Sequence, residues 1–176
     1  MEVTMTKIIT LIAALFFFIT PAYATTDEVM LDMIEYIEEN SKYEYNNEKL
    51  PYIQIRTMDE LCQAVYPPGF YELVKDQCAV AGYYDHNLNT VFIADESGPY
   101  MVDEGFIETV LFHELVHYLQ YLNGEHEMVQ CQNALEADAF LLQDDYVQYK
   151  GYPEEQRPDP LFAAIVSSCN EDPFAP

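Results

Sequence analysis

Basic side chains are what this sequence has least of. Seven Lys and Arg stand against 31 Asp and Glu, for a formal net charge of −24. Such a surface repels phosphate backbones and anionic headgroups, which argues against nucleic acid or an anionic membrane as a partner. Internal repeats, low-complexity tracts and a linker long enough to separate domains are also missing. No C-x-x-C pair occurs, so the four cysteines lack the spacing of a Cys-based zinc site. Yet half of the residues are hydrophobic, with 15 Tyr and 10 Phe, so this is not a disordered acidic chain.

The extended apolar run Ile8–Ile19, interrupted only by Thr10, is short for a membrane span. With Lys7 before it and Ala22-Tyr23-Ala24 after it, residues 1–24 read as a secretory signal peptide. An uncleaved anchor is the alternative. Cleavage leaves the net charge unchanged, because Glu2 and Lys7 cancel. The expectation is an exported protein, periplasmic or secreted, with one domain over residues 25–176 and no stable membrane insertion once the signal is removed. Four cysteines in an exported chain imply two disulfides. Of the three possible pairings, Cys62–Cys78 and Cys131–Cys169 are preferred, since one closes a short loop and the other ties the tail to the core.

Periodicity gives the element order. Thr26–Glu39 reads as a helix with Val29, Met30, Met33, Ile34 and Ile37 as its stripe. Tyr52–Arg56 reads as a strand. Thr57 with Glu60 is a capping-box signature for a short helix carrying Leu61 to Tyr66, and Phe70–Lys75 forms another. Ala79–Tyr84 and Thr90–Ala94 are β-prone around a turn-rich stretch that holds His86, read as exposed, and form a hairpin. After a loop with Gly98-Pro99, Phe106–Leu122 is a helix without Pro or Gly, stopped by Gly124. A second long helix is expected over about Val129–Tyr149, with Asp144 and Asp145 on its solvated face, and a short one over Leu161–Ser168. The fold class is α+β, a small antiparallel or mixed sheet against two helices.

The chemistry sits at His113-Glu114-Leu115-Val116-His117. Residues four apart lie on one helix face, so both imidazoles can reach one Zn²⁺, with Glu114 beside them as general base. A catalytic zinc takes three protein ligands and an open position. His126 and Glu136 are the two candidates for the third.

H-E-x-x-H followed by eighteen residues and Glu136 resembles the zincin metallopeptidases of the gluzincin type. The resemblance covers about Ala79–Tyr149. Ala139 resembles the small residue, and Asp138 the acidic residue, found near the third ligand of minimal gluzincins. The metzincin pattern fails, for it needs Gly at Gln120 and His at Asn123. In size the chain resembles small exported zincin-like proteins of bacteria. The resemblance implies a zincin-like fold, zinc held by His113, His117 and Glu136, and hydrolysis of peptide or protein substrates. It also implies that Thr90–Ala94 is a strand that binds extended peptide by edge addition. Asp138 is expected to support a ligand imidazole from behind. His126, Tyr146 and Tyr149 are candidate oxyanion donors. Two rival readings remain open, a non-catalytic zinc-binding module and a coincidental motif. The oligomeric state is open too.

Overall fold

The computed structural model describes residues 26–95 and 105–169. The expected signal peptide and the Gly98-Pro99 loop lie outside these residues. The elements, in order, are α1 (Thr26–Asn40), β1 (Tyr52–Arg56), α2 (Met58–Val65), α3 (Pro68–Val74), β2 (Gly82–Asp85), β3 (Thr90–Ala94), α4 (Phe106–Leu122), α5 (Leu135–Lys150) and α6 (Pro160–Val166). The class is α+β, six helices around a three-stranded mixed sheet.

The sheet has the order β1-β3-β2. β3 pairs parallel with β1 and antiparallel with β2. It is therefore the central strand, and its main chain is engaged on both sides. This corrects the expectation that Thr90–Ala94 is a free edge. Every one of its residues is buried. Val91 and Ile93 join the main core with α1, α4 and α5, while Phe92 and Ala94 pack with Leu61 of α2 on the opposite face. A strand covered on both faces reads as a continuous apolar run instead of an alternation.

Several local signals hold. Thr57 caps α2 in a complete capping box with Glu60. α1 buries Met30, Met33, Ile34 and Ile37. Gly124 and Gly151 adopt left-handed φ of +73° and +69° just beyond α4 and α5, a conformation that β-carbons disfavour. Both expected disulfides are formed, Cys62–Cys78 and Cys131–Cys169. Most boundaries fall within two residues of expectation, and two move by three or more. β2 begins at Gly82, and α5 begins at Leu135, six residues later than expected. Cys131 is held extended (φ −152°, ψ 161°) while its disulfide anchors the tail, which interrupts the helix before a single 3₁₀ turn over Gln132–Ala134.

α4 is the centre of the molecule. Eleven of its 17 residues are buried, and it contacts α5, α1, β2 and β3. β2 approaches it so closely that a Cβ on Gly82 would lie 2.7 Å from Val110 Cγ1 and 3.1 Å from Glu114 Oε1. Among the described residues, no helix is long and apolar enough to cross a membrane.

Candidate metal centre

The one-turn spacing of His113 and His117 on α4 directs both rings toward α5. The first turn of α5 supplies Glu136. His113 Nε2 lies 3.2 Å from Glu136 Oε2, His117 Nε2 lies 3.3 Å from Glu136 Oε1, and the two Nε2 atoms are 3.1 Å apart. Among the described residues, these three form the one cluster with ligand atoms close enough to share a metal ion.

The donor set fits zinc in size. Bonds of about 2.0–2.1 Å in a tetrahedral site place neighbouring ligand atoms about 3.3 Å apart. It also fits in charge. His113 Nδ1 lies 3.1 Å from Gln143 Oε1, and His117 Nδ1 lies 2.7 Å from Gln120 Oε1. An amide oxygen only accepts, so with the amides placed this way each Nδ1 carries the hydrogen. Gln120 cannot be flipped, because its Nε2 donates to the Leu135 carbonyl at 2.8 Å. In their neutral forms both rings then turn bare Nε2 lone pairs toward one another and toward a carboxylate. That grouping repels itself unless a cation sits among them. Either a proton or a divalent metal can serve.

The titration of the ligands reflects the same need. Burial by itself would lower the pKa of His117, but the Glu136 carboxylate, with help from Glu114 and Gln120, holds it up at about 9. Burial would raise Glu136, yet its bonds from His113 and His117 keep it well below the usual carboxylate range. A bound metal would take over the role of that proton.

Glu114 is 5 % exposed. Its carboxylate accepts a hydrogen bond from the Tyr84 main chain in β2, and burial raises its pKa. Among the described residues, Oε2 has no hydrogen-bond partner. An orphan carboxylate oxygen in the interior is costly.

The sequence profile of the family described as a domain of unknown function, DUF6647, matches residues 23–171. The chain belongs to this family. No curated protein and no solved structure matches it. The match takes in every element from α1 to α6, so the paired helices carrying His113, His117 and Glu136 lie within the DUF6647 domain.

The other residues singled out in the sequence lie elsewhere. Asp138 accepts from Tyr43 Oη at 2.7 Å instead of supporting a ligand ring directly. Tyr43 in turn accepts from Gln120 at 3.3 Å, so Asp138 reaches His117 only through two intermediaries. The physical reason is helical: two residues beyond Glu136 is about 200° round α5. His126 stacks on Tyr121 at 4.3 Å and its Nδ1 has no partner, but it does not join the ligand cluster. His86 is exposed as expected, and stacks on the other face of Tyr121 at 4.4 Å. Tyr146 is buried against Phe112 and gives its hydroxyl to Glu108 at 2.7 Å, which removes it as an oxyanion donor. Tyr149 is exposed and leans on Tyr36. Asp144 is not simply solvated, for it accepts two hydrogen bonds from Arg157.

The residues that do support the imidazoles are Gln120 and Gln143. The signal for both was helical arithmetic. Gln120 is one turn beyond His117, and Gln143 is seven residues beyond Glu136, back on the same face of α5. Phe140 completes that face, its ring 4.6 Å from the His113 ring.

Proposed function

We propose that this is an exported zinc-dependent peptidase of zincin type, in which His113, His117 and Glu136 hold the metal and Glu114 is the general base. The observation that carries the reading is the buried Glu114 Oε2, unpaired and next in sequence to a ligand, among three convergent donors. Bound zinc would supply Lewis acidity, bringing water toward neutral pKa and polarising a carbonyl oxygen.

The remaining work falls to the chain. Glu114 takes a proton from the attacking water at Oε2 and delivers it to the leaving amine as the C–N bond breaks. Its raised pKa suits a group that must both accept and return a proton near neutrality. The Tyr84 main-chain bond fixes its orientation. Gln120 and Gln143 fix the ligand rings. β2, not β3, is the outer strand beside Glu114, so an extended substrate would align along β2. Two disulfides support an oxidising compartment, periplasmic or extracellular.

The test is metal analysis joined to a peptide-library cleavage assay, with and without chelator. Glu114→Gln should keep bound zinc and lower turnover by about 10²–10⁴-fold. Abundant zinc with no peptide cleaved, and no consequence of Glu114→Gln, would instead identify a zinc-binding module without catalysis.

A further inference from the structure

Positive charge is gathered in one place on this molecule. In a chain with 31 Asp and Glu, residues 49–58 contain no acid and carry both Lys49 and Arg56. The stretch includes the whole of β1. Of the seven Lys and Arg, Lys7 lies outside the described residues, and four of the other six are paired with carboxylates. Lys42 pairs with Glu125, Lys75 with Glu72, Lys150 with Glu108 and Arg157 with Asp144. Lys49 and Arg56 have no carboxylate partner among the described residues. Lys49 Nζ donates to Tyr52 Oη at 2.7 Å, and Arg56 Nη2 donates to Gln54 Oε1 at 2.8 Å. The two cations left over in an acidic protein thus flank one strand.

That strand is an open edge. Among the described residues, β1 pairs with β3 alone. The Tyr52 N–H donates to the Asn89 carbonyl at 2.9 Å, and the Arg56 carbonyl accepts from the Asp95 N–H at 2.7 Å. In the parallel register that sets Tyr52 against Thr90, these bonds turn Tyr52, Gln54 and Arg56 toward β3. Alternate residues of a strand point opposite ways, so Ile53 and Ile55 direct their N–H and C=O groups away from the sheet. No hydrogen bond to a described residue takes up either pair. The side chains are open too. Tyr52 is 57 % exposed on one face and Ile55 53 % on the other.

An exposed edge is a template for another strand, and basic side chains on it ordinarily keep identical copies apart. They do so here. Antiparallel pairing of β1 with β1 of a second copy would set Lys49 of one beside Arg56 of the other. Toward an acidic strand the same two charges attract.

We propose that the outer edge of β1 docks an extended acidic segment of a partner protein, which joins the sheet as a fourth strand. Carboxylates of the segment meet Lys49 and Arg56, and its main chain bonds to Ile53 and Ile55. Its alternate side chains lie against Tyr52 on one face and Ile55 on the other. This edge is distinct from the metal centre and does not depend on the peptidase reading. β2, which flanks Glu114, is two strands away, about 10 Å.

The experiment uses the full chain and the fluorescein-labelled heptapeptide Glu-Thr-Val-Thr-Val-Thr-Glu, with a Lys-ended version as its control, read by fluorescence anisotropy at low salt. The acidic peptide should bind at least about 10-fold more tightly than the basic one, and added salt should shrink the ratio. Lys49→Glu with Arg56→Glu should reverse the preference, with an unchanged thermal melt showing that the fold persists. N-methylated peptides test the main-chain bonds on the wild-type protein. Methylating one alternate set, the two Val or the three Thr, should abolish binding, and methylating the other should be tolerated. No binding of the acidic peptide up to about 1 mM, or equal binding of the two peptides, overturns the proposal. Binding that tolerates both methylated sets is adsorption by charge alone and overturns strand addition. A dimer in sedimentation that the acidic peptide dissociates assigns the edge to a second copy and refutes the proposal.

Discussion

Gln143 offers the sharpest test of how the metal centre is held. Its Oε1 lies 3.1 Å from His113 Nδ1, and among the described residues it makes no second contact of that kind. Gln143→Ala removes one hydrogen bond to a neutral acceptor, a net of about 0.5–1.5 kcal/mol. It also frees the ring to adopt the other tautomer and to rotate. Outer partners of metal ligands typically carry 10–100-fold in affinity, about 1.4–2.7 kcal/mol. Phe140 still packs on the His113 ring in the variant, so the lower end applies and about 10-fold is expected. Gln143→Glu retains an acceptor, and an anionic one, so it should bind zinc at least as well as wild type. Gln143 is partly exposed, so the metal-free alanine variant should lose about 0.5 kcal/mol, the lower end of that range. Competition with a chromophoric chelator reads the affinity. If alanine and glutamate variants both stay within about twofold of wild type, the Nδ1 contact does not orient His113 and the argument about its bare Nε2 fails.

Zinc uptake should release about one proton at pH 7, because metal-free His117 titrates at about 9. Apparent affinity should then rise up to about tenfold per pH unit towards pH 9 and level off above it, measured by calorimetry in buffers of different ionisation heat. For the metal-free fold the sign is the reverse. A raised folded-state pKa contributes stability that is fully present below the unfolded value near 6.5 and is lost as pH rises through about 9, which urea melts across that window will show. Gly82→Ala places a Cβ 2.7 Å from Val110 Cγ1 and 3.0 Å from the Phe92 carbonyl, so it should cost about 1–3 kcal/mol by overpacking. The same Cβ presses on Glu114, so turnover should fall while zinc content is kept; a stable, fully active variant would contradict that packing. Reducing the disulfides should cost about 3 kcal/mol for Cys62–Cys78 and about 4 kcal/mol for Cys131–Cys169, whose sequence separations are 16 and 38. Single Cys→Ser pairs measured by denaturant unfolding separate the two.

What could be read from the sequence was local. The H-E-x-x-H turn, the Thr57–Glu60 box, the stripe of α1 and the glycine stops each depend on residues within about two turns of one another. What could not be read depended on distant pairing. β2 and β3 are joined by four residues and look like a terminal hairpin, but β1 arrives from 38 residues upstream to pair parallel with β3 on its far side. Nothing near Thr90 announces that partner, although the uninterrupted Val91-Phe92-Ile93-Ala94 is the pattern of a strand buried on both faces. What stands behind Gln120 was hidden for the same reason. Tyr43 reaches Gln120 across 77 residues, and it claims the Asp138 carboxylate that the resemblance had linked to the ligands.

In the proposed reading, Glu114 is what separates using a metal from merely holding one. His113 and His117 give their Nδ1 hydrogens to Gln143 and Gln120, Gln120 donates to the Leu135 carbonyl, and a cation shared with Glu136, proton or metal, compensates the rest. Glu114 is compensated on one side only, by the Tyr84 main chain. Glutamine at the same position could keep that hydrogen bond and would remove an ionisable group from the interior, which on stability grounds is the better choice. A fold that only bound metal would gain nothing from a carboxylate here. Its raised pKa and unpaired oxygen are disadvantages for the resting protein, and the same properties are what a proton carrier beside a reacting carbonyl requires.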